Sequence, residues 1–91
     1  DEETRFKVNA RRNKLLGLWA AGEMGVTGDA ADEYAKEVVK ADFEEEGIED
    51  VVRKVLKDFQ AKGMTLSDHA IRKRLEELQT VAVEQVVKEG K

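Results

Sequence analysis

The side chains in this 91-residue chain whose types and spacing could do chemistry are His69, Tyr34, the carboxylates from Asp42 to Asp50, and the basic triplet Arg72, Lys73, Arg74. His69 is the single histidine and stands beside Asp68. A pH sensor is the functional reading of such a residue. An ordinary exposed residue in the first turn of a helix is the preferred one. Asp42, Glu44, Glu45, Glu46, Glu49 and Asp50 could gather around a divalent cation, but they lack the glycine-punctuated spacing of a calcium loop. They read as a solvated acidic corner or as a salt-bridge partner for the first helix. Tyr34 could be an acid–base group, but its place on a helix stripe suits a half-buried phenol. The triplet Arg72–Arg74 could contact phosphate. It also suits a solvated helix face, near Asp29, Asp32 and Glu33. No cysteine is present, so there is no thiol nucleophile and no thiolate metal site. No phosphate-cradling glycine loop or metal-ligand spacing appears. Neither a catalytic residue nor a metal is expected.

The totals narrow the class. A chain this short suggests one domain and buries about two-thirds of its unfolded surface. Without proline, and with 40% of its residues charged, it favours long helices over strands. The net charge of −4 argues against a general nucleic-acid binder. No apolar run is long enough to span a bilayer, and no signal-peptide pattern opens the chain. The absence of cysteine fits a reducing compartment. The chain opens on "DEET" without methionine, which suggests a trimmed natural N-terminus.

Four helical segments must position these groups. The first is expected from about Glu3 to Met24, stopped by Gly25. The second follows "TGDAADEYAKEVVKADF", with Thr27 or Asp29 as N-cap. The third is "IEDVVRKVLKDFQAK", ended by Gly63. The fourth starts near Ser67, or at Thr65 with Asp68 closing a capping box, and runs to about Glu89. The third has the clearest stripe: Ile48, Val51, Val52, Val55, Leu56, Phe59. The fourth offers Ile71, Leu75, Leu78, Ala82 and Val86, and the second Ala31, Ala35 and Val39 beside Tyr34 and Val38. Short connections favour antiparallel neighbours, so the expected fold is all-α, an antiparallel four-helix bundle. Trp19 and Phe59 are the expected large anchors of its core. Gly17, inside "LLGLW", would serve either a close helix crossing or a hinge.

Charge is unevenly placed. Residues 27–47 hold two basic and eight acidic residues, a local net of −6. Glu44, Glu45 and Glu46 close the second helix and the basic residues of the first helix sit near its start. Both are the unfavourable ends for their charge. An antiparallel bundle brings those ends together, so a tie between Arg11 and Glu44 is expected.

The stretches "FKVNARRNKLLGLWAA" (6–21), "DEYAKEVVKADFEEEG" (32–47), "EDVVRKVLKDFQAKG" (49–63) and "SDHAIRKRL" (67–75) resemble the zeta-subunit family, inhibitor proteins of the alphaproteobacterial F-type ATP synthase. The run from Arg11 to Ala21 is the most specific part. The resemblance implies a four-helix bundle, residues 15–91, with a long first helix and a mobile N-terminal arm, residues 1–14. That arm would insert at a catalytic interface between the alpha and beta subunits of the ATPase head, near gamma, and block hydrolysis while permitting synthesis. Its contact residues, with those at its root, would be Arg5, Phe6, Lys7, Val8, Arg11, Arg12 and Lys14. Members of the family carry an acidic and aromatic stretch upstream of "DEETRFK", most of which this sequence lacks. Gly22 stands where a charged residue is expected after "LWAA".

The implied protein is no enzyme. It is a bacterial regulatory subunit, cytoplasmic and peripheral to the inner membrane through the ATP synthase, and it contacts neither nucleic acid nor the membrane interior. No cofactor is expected. Two alternatives remain: a regulatory bundle binding ATP or ADP weakly through Arg72, Lys73 and Arg74, and a non-inhibitory assembly factor.

Overall fold

A computed structural model describes residues 2–42 and 48–90. It contains α1 (Glu2–Glu23), α2 (Asp29–Ala41), α3 (Glu49–Ala61) and α4 (Asp68–Glu89). Several helix ends have a local cause. Gly25, Gly28 and Gly63 hold positive φ, at 77°, 64° and 73°, which only glycine adopts without strain. Gly63 thus ends α3 as its position suggests. Gly28, and neither Thr27 nor Asp29, is the N-cap of α2: the positive φ at that residue selects the turn, and no side chain caps the helix. Ser67 caps α4, its Oγ accepting from the Ala70 N–H at 3.2 Å. Glu2, Glu3, Asp29, Asp32, Glu49, Asp50 and Asp68 put negative charge in the four first turns, where it suits the helix dipole.

Cross-helix pairs fix the topology. Arg11 reaches Glu89, Arg12 reaches Gln79, Gly17 meets Ala35, and Tyr34 and Lys54 link α2 to α3 through Asp58 and Glu37. Along α2 and α3 the pairs Tyr34–Asp58 and Glu37–Lys54 run in opposite directions, as do Arg11–Glu89 and Trp19–Arg74 along α1 and α4, so both of these neighbours are antiparallel, while Glu49 at the start of α3 meets Arg72 in the second turn of α4. The expected four-helix bundle is the observed fold. Helix α1 touches α2, α4 and, least of these, α3.

The core is in two parts. The larger joins Leu16, Ala20, Val38, Val51, Val52, Val55, Phe59, Ile71 and Leu75. The smaller is Val8, Ala82 and Val86, with Leu15 against it. It lies where the first half of α1 runs beside the second half of α4. The expected stripes of α3 and α4 supply most of both clusters. On α2, Val38 is buried and Val39 only partly so. Phe59 is fully buried, as expected of an anchor. Trp19 is not: it is partly buried, its ring edge-on to Phe59 at 5.8 Å with the Arg74 guanidinium over it at 5.5 Å. It packs against the edge of the larger core cluster and keeps part of its surface in water.

Gly17 marks a crossing. A Cβ there would lie 2.6 Å from the Ala35 Cα, so α1 and α2 approach backbone to backbone, and α1 runs unbroken through this point. Glu44, Glu45 and Glu46 lie outside the described residues.

Candidate protein-binding surface

The first half of α1 is built from two faces. Residues three and four apart share a helix face, and Arg5, Phe6, Lys7 and Lys14 are exposed. Val8, Arg12 and Asn13 turn inward and are buried. Arg11 sits between the two. Phe6 is the most exposed large apolar side chain of the described residues, at 58%. An open groove of about 790 Å³ runs along this half of α1, lined by Phe6, Lys7, Ala10, Arg11 and Lys14, with Val39 of α2 and Val86 and Val87 of α4 on its walls.

Arg11 is tied to α4. Its guanidinium donates to both Glu89 oxygens, at 2.5 and 2.7 Å, and to Gln85 Oε1 at 2.8 Å. This bidentate pair raises the Arg11 pKa and holds the Glu89 carboxyl below its ordinary 4.5. The partner of Arg11 among the described residues is therefore Glu89; the expected tie to Glu44 falls on a residue outside them. α4 is as long as α1, at 22 residues each, and carries Glu89 to the level of Arg11.

Arg12 has no ion-pair partner among the described residues. Its Nε donates to Asn13 Oδ1 at 3.0 Å, and its terminal nitrogen donates to Gln79 Oε1 at 3.1 Å and Asn9 Oδ1 at 3.5 Å. Burial lowers its pKa, against the charge of Asp42. Arg12 with Asn9, Asn13 and Gln79 thus forms a polar layer between the two parts of the core. The sequence alone does not place Arg12 inside, because "ARRNK" reads as one solvated basic run. Asn9 and Asn13, one turn apart, were the only signal.

The basic triplet of α4 is already engaged. Arg72 bridges α3 and α4, donating to both Glu49 oxygens at 2.7 and 2.8 Å and to Asp68 at 2.6 Å. These bonds raise its pKa and lower that of Glu49. Arg74 donates to Glu77 at 3.2 Å and covers Trp19. Lys73 is exposed. The acidic residues met by Arg72 are thus Glu49 and Asp68, where Asp29, Asp32 and Glu33 were expected; the start of α3, and not of α2, packs beside it.

His69 is exposed in the first turn of α4. Tyr34 is half-buried and donates to Asp58 Oδ2 at 2.8 Å, while Lys54 pairs with Asp58 at 2.8 Å and Glu37 at 3.1 Å and lies over the Tyr34 ring. Burial, then the bond to Asp58, raises the phenol's pKa well above its ordinary 10.0, so the group is a fixed donor. Among the described residues no three His, Cys, Asp or Glu side chains group to hold a metal, and no helix is long and apolar enough to cross a membrane.

The described residues define a small helical bundle whose first helix leaves Arg5, Phe6, Lys7 and Lys14 exposed along its first half. The ATPase inhibitor subunit zeta family model matches residues 1–85, and the chain belongs to that family. The chain is also similar to a structure described as a solution NMR structure, at 52% identity over 93% of this chain and 96% of that one, with a TM-score of 0.83. No curated protein matches.

Proposed function

We propose that the chain inhibits ATP hydrolysis by the F-type ATP synthase by inserting its N-terminal helical arm, residues 1–14, at a catalytic interface of alpha and beta near gamma. The family membership supports the inhibitor role. The observation that carries the arm's part is the outward face of α1, where Arg5, Phe6, Lys7 and Lys14 are exposed. The mechanism needs no chemistry from this chain. A helix seated in an interface that must close raises the cost of the next conformational step, and the shift it can impose is set by its preference for the open state. Val8 and Arg12 reach a partner only where the arm leaves α4, so the first contacts belong to the exposed set. Residues 1–14 as a helix span about 21 Å. The protein acts as a binding subunit in the cytoplasm, at the inner membrane through its partner.

ATP hydrolysis by the isolated ATPase, titrated with the chain and with a Phe6→Ala, Lys7→Glu, Lys14→Glu triple variant, tests this. These residues are exposed, so the variant should keep the parent's melting temperature. It should need at least about tenfold more protein for half-inhibition, the loss expected when central interface residues are removed. Equal inhibition by both would move the function to another surface. Binding by the parent without inhibition would make it an assembly factor.

A further inference from the structure

Asn13 has no exposed surface, and its amide has one half unaccounted for. Its Oδ1 accepts from Arg12 Nε at 3.0 Å. Arg12 Nε is only ever a donor, so the amide is fixed in this orientation and its NH₂ must point away. That Nδ2 has no hydrogen-bond partner among the described residues. Asn13 lines a small cleft of about 50 Å³ between α1 and α2, walled also by Phe6, Asn9, Ala10, Val39 and Asp42.

We infer that this cleft is a binding site for an ordered water that joins α1 to the C-terminal end of α2. The ligand is set by the polar groups around it. Asn13 Nδ2 offers a hydrogen, so the ligand must accept. Asp42 offers only carboxylate oxygens, so the ligand must also donate. An anion is refused by Asp42, and a cation by the Asn13 NH₂ and the Arg12 guanidinium behind it. A neutral molecule that both donates and accepts remains. The volume admits water, which needs roughly 10–15 Å³ of such space and two to four polar partners. Asn13, Asp42 and Asn9 supply them. The bridge also places a donor on Asp42, the C-cap of α2, where negative charge is least favoured.

The test is water-selective NOE and ROE spectroscopy on the ¹⁵N-labelled full chain, read at the Asn13 side-chain NH₂. Bound water gives NOE and ROE cross peaks of opposite sign, the signature of a water tumbling with the protein. An Asp42→Ala variant keeps the fold, because Asp42 is partly exposed and outside both cores, and should lose most of that intensity. Intensity unchanged in the variant, only chemical-exchange peaks in the parent, or a hydrogen-bond coupling from Nδ2 to a protein oxygen would each overturn the proposal.

Discussion

Phe59 and Trp19 look alike in the sequence, both large aromatics on helix stripes, yet the fold uses them differently. Phe59 is wholly enclosed, and Phe59→Ala should cost about 3–5 kcal/mol. Trp19→Ala removes a partly buried ring and an edge contact, and should cost less. Urea unfolding of both variants ranks them, and an equal loss would mean Trp19 is as deeply seated as Phe59. The glycines divide in the same way. Gly22 has open space around its missing Cβ, so Gly22→Ala should stabilise by up to about 1 kcal/mol through helix propensity alone. Gly17→Ala gains the same propensity but drives a methyl to 2.6 Å from the Ala35 Cα, and should destabilise by about 1–3 kcal/mol net. Opposite signs in a thermal melt would confirm that Gly17 is a crossing point. The sequence left it open between a crossing and a hinge, because the same residue type serves both.

Helix boundaries were legible where a local rule decides them. Ser67 caps α4 by its own hydroxyl, and Ser67→Ala should cost about 1 kcal/mol. The start of α2 was missed because the φ of Gly28 set it, and no side chain did. Pairing between helices gives a pH dependence at both ends of the scale. The Glu49 and Glu89 pKa values are lowered in the fold from 4.5. A depressed carboxyl stabilises above its unfolded pKa and loses that contribution as pH falls through its folded value. Acid melting should therefore steepen below pH 4.5, and Arg72→Gln with Arg11→Gln should flatten it. The Tyr34 pKa is raised from 10.0. Its contribution is complete below that pH and declines as pH rises beyond it. Tyr34→Phe should melt lower at neutral pH, having lost the bond to Asp58, yet lose less than the parent between pH 9 and about 11. Parallel pH profiles would detach Tyr34 from the α2–α3 contact.

At the scale of the molecule, the two parts of the core are unequal. The first half of α1 and the second half of α4 rest on Val8, Ala82 and Val86, beyond a polar layer. Opening there exposes little apolar surface, so amides of residues 4–9 and 83–88 should exchange with solvent well before those of residues 51–59. Amide hydrogen exchange measures this directly, and uniform protection along α1 would contradict it. That weaker end carries the exposed cations and Phe6. An arm that is to act on a partner is served by an attachment of low cost, because whatever holds it to α4 must be overcome on binding.

Composition and periodicity determined that this chain is helical, that it has four helices, and that their apolar stripes close into one antiparallel bundle. Those are local and pairwise consequences of residue type, and the stripes of α3 and α4 say which faces meet. The family was legible as well, and the family model matches residues 1–85 as a whole. Only the tertiary structure decided which charges of the run "ARRNKLLGLWAA" face water. Arg11 and Arg12 are adjacent and chemically identical, but a step of one residue turns a helix by about 100°. That rotation sends one guanidinium to Glu89 at the surface and the other into the interior beside Asn13. It also decided that Arg72 belongs to Glu49, since an ion pair depends on where helix ends arrive in space. Crossing angles and helix lengths set those positions, and a one-dimensional pattern does not contain them.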